Sequence, residues 1–343
     1  MKIKEKIQKA IYNILKRVIK KELILFIYSK KSYKYKNLDI LYDSLPKNYK
    51  IKKIKDIVSL KNIYLLAKAK IIILDQSTKF TAWFNLSDKT KCVQIWHSSG
   101  LYKMIGYDAL RKNHSYEEEV KRVHRIHGQI DYFIISDKKL VPYYAKAFKK
   151  DESIFLPLGL IRTDELFDTK RKEENKKQKV LYAPTFRAHD ENRHNIYKLE
   201  IEKLQENLGD TYEFLLRKHP TTDKEEVPDG WIDVSDIDQN ILLKNVDILI
   251  TDYSSILFDF SLLKRPILIF IPDIEEYTIN ERDLYIRPEE LCPGCVCYTT
   301  ECVIEKLKEN SFQDNFIKER FMNNCDGKST ERVRDFILNL YKE

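Results

Sequence analysis

Glycine is scarce in this chain, with eight residues in 343. They stand at positions 100, 106, 128, 159, 209, 230, 294 and 327, and none are spaced as in GxGxxG or GxxxxGKS/T, which excludes dinucleotide fingerprints and P-loops. Long apolar runs are missing too. The longest, such as Leu23 to Tyr28 and Ile267 to Ile271, are strand-sized, whereas a helix spanning a bilayer needs roughly twenty residues. The chain is therefore expected to cross no membrane. What is present is 43% hydrophobic and 33% charged sequence, enough for two ordinary domains that each bury a core.

The net charge of +8 is unevenly placed: residues 1–21 hold eight basic residues against the single acid Glu5, so the rest of the chain is nearly neutral. A folded body without a basic face does not suit nucleic acid, and none is expected as a partner. Within the arm, Ile3, Ile7, Ala10, Ile11, Ile14, Val18 and Ile19 recur at helical spacing. That stripe fits either a helix lying on a membrane surface or a first helix packed on the domain with a solvated lysine face. Lysines interrupt every stretch where a signal peptide would have its apolar centre.

Six cysteines without an export signal point to reduced thiols in the cytoplasm. Cys292, Cys295, Cys297 and Cys302 have a spacing that could hold a metal, but no second pair stands at a zinc-ribbon distance and Pro293-Gly294 reads as a turn. Their role stays open, and no metal ligands are assigned.

Short apolar runs alternate with helical patterns, which predicts βαβ units and parallel sheets. The candidate strands are Leu23–Tyr28, Ile71–Asp75, Cys92–Trp96, Tyr132–Ser136 and Ile154–Leu156, then Val180–Ala183, Glu213–Arg217, Ile248–Thr251 and Ile267–Phe270. Residues 168–179 contain no apolar residue and form the natural linker. The expected organisation is a basic amphipathic helix over 1–21, an α/β domain over 22–167, that linker, and a second α/β domain over 180–343. Ligand sites in such domains lie beyond the carboxyl ends of the strands.

Four segments put chemistry at strand ends. A buried strand runs into Trp96-His97-Ser98-Ser99-Gly100, where His97 either acts as a general base or satisfies a turn. The second strand stops at Pro184 and presents Thr185 and Arg187; the third carries Arg217 and His219 before Pro220. Arg187, Arg217 and His219 at neighbouring strand ends would make an anion clamp. In the fourth, Asp252 follows the strand and Ser254 and Ser255 fall where a helix starts, which suits plain capping, phosphate binding or both.

The blocks WHSSGLYKMIG (96–106), GLIRTD (159–164), YAPTFR (182–187), RKHP (217–220), DVSD (233–236), TDYSSILFDF (251–260), RPILIFIPDIEEY (265–277) and DGKSTER (326–332) together resemble the CDP-glycerol glycerophosphotransferase family of teichoic-acid synthesis. The resemblance runs in order over roughly residues 20 to 340. It implies a GT-B architecture, two Rossmann-like domains with parallel sheets facing across a cleft, the cytidine nucleotide held by the C-terminal one. It further implies that His97 and His219 are the family's essential histidines, that Arg162 and Asp164 belong to a loop closing on the donor, and that Ser235, Ser254 and Ser255 bind the donor. Ser98, Ser99 and Gly100 depart from the Gly-Thr-Pro of polymerase-like members and look more like primases and single-unit transferases.

The implied reaction is attack of an acceptor hydroxyl on the β-phosphorus of CDP-glycerol or CDP-ribitol, with release of CMP. The implied acceptor is a polyprenyl-diphosphate-linked glycan at the cytoplasmic face of the membrane, in teichoic-acid or capsule synthesis. No carboxylate metal motif is recognisable, although a loosely held Mg2+ is compatible with this chemistry. The rival readings are a GT-B glycosyltransferase using a nucleotide sugar and a catalytically silent membrane scaffold.

Overall fold

The computed structural model describes residues 3–32, 36–111, 114–168, 177–185, 187, 198–218, 227–310, 312 and 316–343. They form two compact units, one of residues 1–98, 105–164 and 324–343, the other of residues 99–104 and 165–323.

The first unit is built on a six-stranded parallel sheet in the order β2-β1-β3-β4-β5-β6. Its strands are β1 (Leu23–Tyr28), β2 (Ile51–Lys55), β3 (Ala69–Leu74), β4 (Lys91–Gln94), β5 (Tyr132–Ile134) and β6 (Phe155–Leu156). β1 is buried at every position, as expected of a continuous apolar run in a sheet covered on both faces. β2, absent from the expected strands, is an edge: Lys52, Lys53 and Lys55 are exposed and only Ile54 is buried. Ile24, Phe26, Ile71, Ile73, Val93 and Ile134 form the core together with Val333, Ile337 and Leu340.

Those last three residues lie on the helix Ser329–Lys342. The sequence reading grouped residues 324–343 with the C-terminal domain; in the structure they pack on the first unit. Asp164 secures the return by accepting from the first backbone amides of that helix, Ser329 N at 3.0 Å and Thr330 N at 2.6 Å. Gly159 permits the close approach: its φ is +84°, and a Cβ there would lie 2.1 Å from the Asn324 carbonyl oxygen.

Helix α1 (Ile3–Val18) also packs on this unit, through a face the periodicity did not single out. Tyr12 is fully buried edge-on to Phe84 at 5.1 Å, and Gln8 is buried beside it. Much of the apolar stripe faces away, with Ile3 79% exposed, Ile7 55%, Ile14 64% and Val18 74%, while Ile11 and Ile19 are half-buried.

The second unit has its own six-stranded parallel sheet, in the order β12-β11-β10-β7-β8-β9. The strands are β7 (Gln178–Ala183), β8 (Tyr212–Leu216), β9 (Ile232–Asp233), β10 (Ile248–Thr251), β11 (Ile267–Phe270) and β12 (Val296–Cys297). Its core joins Val180, Tyr182, Phe214, Ile248, Ile250, Leu268 and Phe270 to Val303 and Leu307. The expectation of free thiols is corrected at the β12 edge, where Cys292 and Cys295 form a disulfide and Cys297 and Cys302 remain thiols. The Pro293-Gly294 turn, with Gly294 at φ +75°, brings the two sulfurs of the CxxC together. Among the described residues no group of three or more His, Cys, Asp or Glu could hold a metal ion, and no helix is long and apolar enough to cross a membrane. Of the expected linker, residues 169–176 lie outside the described residues.

Candidate active site

In a doubly wound sheet, ligands bind beyond the carboxyl ends of the strands where the strand order reverses. In the first unit that point lies between β1 and β3, and chemistry-bearing residues gather there. Asp75 follows β3 directly and is fully buried. Its Oδ1 accepts from Ser32 Oγ at 2.5 Å, while Oδ2 has no hydrogen-bond partner among the described residues. Loss of hydration, only partly offset by the Ser32 bond, pushes this carboxyl up to about 6.

The next strand, β4, leads to His97. Trp96 adopts a left-handed backbone, φ +43°, which turns the chain out of the strand. The half-buried imidazole then sets Nδ1 3.1 Å from the carbonyl oxygen of Asp75. A carbonyl only accepts, so Nδ1 carries the proton and Nε2 is the basic nitrogen. Burial lowers the His97 pKa to about 4, opposed by that bond and assisted by repulsion from Arg162 and Lys31. The ring is thus neutral at physiological pH and able to accept a proton.

Arg162 belongs to the same unit, in the 3-10 turn Ile161–Phe167, and its backbone N donates to Asn37 Oδ1 at 3.2 Å. Asp164 on the same turn holds the C-terminal helix, as described above. Ser98 is half-buried and is the last residue of this segment to belong to the first unit.

Ser99 and Gly100 belong to the second unit. Ser99 Oγ donates to the buried carboxylate of Asp259, whose other oxygen accepts from Gln239 Nε2 at 2.8 Å. Gly100 lies against Phe258 with φ +57°; a Cβ would come within 2.3 Å of the ring, so no side chain fits. The segment continues in antiparallel contact with residues 283–285: Tyr285 N donates to Tyr102 O, and Met104 N donates to Asp283 O, both at 2.9 Å.

The strand order of the second sheet reverses between β7 and β10, where Thr185 and Asp252 meet. Asp252 accepts from Thr185 N at 3.0 and 2.9 Å and from Thr185 Oγ1 at 2.6 Å. Arg187 forms ion pairs with Asp252 and with Asp273, the latter at 2.9 Å. Its guanidinium also lies 5.0 and 5.1 Å from the ring centres of Tyr253 and Tyr277, which stack at 3.6 Å. Burial works against the Arg187 charge, but the two carboxylates outweigh it and hold the group firmly protonated. In this unit Arg187 therefore braces the ends of β7, β10 and β11.

Ser254 Oγ accepts from Ile256 N at 3.4 Å at the start of the helix Ile256–Ser261, and Ser255, which directly precedes that helix, makes no side-chain capping bond. Near β8, Lys218 N donates to Ser235 Oγ at 2.9 Å, Ser235 Oγ donates to Asp233 at 2.5 Å, and Arg217 Nη1 reaches Ile237 O at 2.8 Å. The structure thus joins Thr185 with Asp252 and Arg187, and Ser235 with the Arg217-Lys218 turn. His219 lies outside the described residues. The sequence reading passed over Asp75, Asn37, Asp259 and Asp273. An acid closing an apolar strand marks Asp75, and an acid inside the apolar helix ILFDFS marks Asp259.

Two Rossmann-like units, each with polar side chains gathered at its strand-order reversal, place the chain in the GT-B class of α/β proteins. A solved structure of the wall teichoic acid polymerase TagF matches 98% of this chain, over 94% of its own, with a TM-score of 0.81 at 23% identity. In sequence, the chain is 30% identical to the teichoic acid glycerol-phosphate primase of Bacillus subtilis (strain 168), over 92% of this chain and 88% of that protein. It is 31% identical to the teichoic acid ribitol-phosphate primase of Bacillus spizizenii, over 80% and 76%. The family model for CDP-glycerol:poly(glycerophosphate) glycerophosphotransferase matches residues 5–339, and the chain belongs to that family.

Proposed function

We propose that the protein transfers glycerol phosphate from CDP-glycerol to a hydroxyl of a lipid-linked glycan in teichoic-acid synthesis, with His97 as general base. The observation carrying the reaction class is the family match across residues 5–339, which takes in both units. In the step itself the acceptor oxygen bonds to the β-phosphorus, the bond from that phosphorus to the bridging oxygen breaks, and CMP leaves with the electron pair. The hydroxyl proton passes to Nε2 of His97.

What supports His97 is its tautomer and its charge state. Nδ1 is tied to a carbonyl 3.1 Å away, so Nε2 is the nitrogen that takes the proton, and a pKa of about 4 keeps it unprotonated at the working pH at some expense of basicity. Charge on the transferring phosphoryl and on departing CMP needs positioned donors. Arg162, Ser254, Ser255 and Arg217 are proposed for that role, together with His219.

The acceptor is proposed to be a polyprenyl-diphosphate-linked sugar, reached at the cytoplasmic face of the membrane by a peripherally bound enzyme. The outward stripe of Ile3, Ile7, Ile14 and Val18 among lysines supports this. Primases of both glycerol and ribitol phosphate are relatives of similar identity, so CDP-ribitol is the alternative donor.

The test incubates the protein with CDP-glycerol, CDP-ribitol and UDP-sugars and a lipid-linked acceptor, and measures nucleotide release. CMP release from CDP-glycerol is expected, and its loss in His97→Ala with CDP-glycerol binding retained. Release of UDP from a UDP-sugar would replace this reading with glycosyl transfer.

A further inference from the structure

Asn37 is polar, 1% exposed and lies on the first turn of the helix Asn37–Ser44. Its amide has two distinct ends, and each is used. Nδ2 donates to the Trp96 carbonyl at 3.2 Å, and Oδ1 accepts from the Arg162 backbone N at 3.2 Å. These partners lie 59 and 125 positions away in sequence, in the two loops that carry His97 and Arg162. A carboxamide of this length meets both demands, whereas aspartate cannot donate to a carbonyl and an apolar residue would leave two buried backbone groups unpaired.

The Trp96 bond falls where the chain needs holding. Trp96 has φ +43°, a strained conformation for a bulky residue that persists only where its surroundings impose it. Packing against Phe133 at 4.9 Å and Phe148 at 6.1 Å fixes the indole, while the Asn37 bond fixes the carbonyl. With both ends set, the following residue is aimed so that its Nδ1 meets Asp75 O. The titratable groups acting on His97 are Arg162, Lys31 and His127, and the backbone N of Arg162 is held by the same amide.

We propose that Asn37 is a positioning residue for the transfer reaction, its carboxamide locking the His97 and Arg162 loops together as one rigid piece. This rests on the reading of His97 as the base. The backbone at Arg162 is then tied to the backbone at Trp96, so the two loops move together or not at all.

The experiment compares full-length Asn37→Asp, Asn37→Ala and His97→Ala with the parent protein. CMP release gives kcat and KM for CDP-glycerol, calorimetric titration with CDP counts folded binding sites, and the acid limb of kcat/KM reports the imidazole. Asn37→Asp retains an acceptor for Arg162 N but sets a carboxylate against the Trp96 carbonyl. A misplacement of the reacting group by about 1 Å costs up to 10²-fold, so kcat per binding site is expected to fall roughly 10- to 100-fold. KM should change less than about threefold, and the acid limb should move up as the imidazole loosens and gains water. Asn37→Ala should behave likewise.

Wild-type kcat per binding site and an unmoved acid limb in both variants, with only thermal stability reduced, would overturn the positioning role while leaving His97 as base. Full activity in His97→Ala would instead remove the base assignment, and the inference with it.

Discussion

His97 Nδ1 is held 3.1 Å from the carbonyl oxygen of Asp75, a bond between segments that follow two adjacent parallel strands. The bond settles the tautomer, and burial sets the charge. Protonation of Nε2 would abolish a base, and the pKa of about 4 puts that event well below the ordinary histidine value of 6.5. Activity should therefore be as high at pH 5.5 as at pH 7, with the acid limb of kcat/KM falling between about 4 and 5. A limb at 6.5 or above would be inconsistent with the half-buried imidazole as base. One near 6 that vanishes in Asp75→Asn would belong to the Asp75 carboxyl instead.

The Asp75 carboxyl makes a separate prediction about stability. Its folded-state pKa of about 6 stands above the ordinary 3.8, so the native state binds its proton more tightly between those values. Stability contributed by this group is therefore present below pH 4 and is lost as pH rises through 6. The difference amounts to about 3 kcal/mol at neutral pH. Asp75→Asn removes the titration while keeping an acceptor for Ser32 Oγ. Urea midpoints measured from pH 4 to 7.5 should show the variant gaining on the parent as pH increases; parallel curves would show that the site is better hydrated than its burial indicates.

Arg187 lies between two carboxylates that are themselves largely out of water, with side-chain exposures of 3% for Asp252 and 8% for Asp273. Removing one partner of a buried ion pair leaves the other charge uncompensated, which costs about 3–5 kcal/mol. Arg187→Ala should lose at least that much in denaturant titrations, since two acids are stranded. Arg187→Lys should recover only part of it, because an ammonium lacks the fork that reaches Asp252 and Asp273 together. A loss under about 1 kcal/mol in Arg187→Ala would mean that water enters the cluster freely.

Some features were legible before the structure because they are local. Leu23–Tyr28, Ile248–Thr251 and Ile267–Phe270 read as buried strands because unbroken apolar runs have few other uses. β2 was missed because an edge strand carrying lysines mimics a polar loop, and β9 and β12 because two residues carry no period. His97, Thr185 and Asp252 were singled out because parallel sheets put chemistry at strand ends, and the structure sets all three just beyond strands. Asn37 and Asp259 were not, since their significance lies in partners 59 and 160 positions away. The C-terminal helix returns to the first unit for a similar reason: the Asp164 bonds that hold it span 165 and 166 positions.

Helix α1 shows how the structure sharpens a question that periodicity left open. Tyr12 anchors the helix to the body, so deleting the whole arm would disturb the core as well as any surface role. Ile7 and Ile14, by contrast, are 55% and 64% exposed and can be replaced without unpacking anything. Full burial of an isoleucine side chain is worth about 1.5–3 kcal/mol, and each lysine near an anionic surface about 1 kcal/mol. The double substitution Ile7→Ser with Ile14→Ser should therefore weaken binding to vesicles containing anionic lipid by at least about tenfold, a change of about 1.4 kcal/mol. Thermal stability and CMP release with a water-soluble acceptor analogue should be unchanged. Raising the salt should weaken binding of the parent and variant alike, because the lysines remain. Vesicle binding unaffected by the double substitution would leave the stripe without a membrane role and assign the attraction to charge alone.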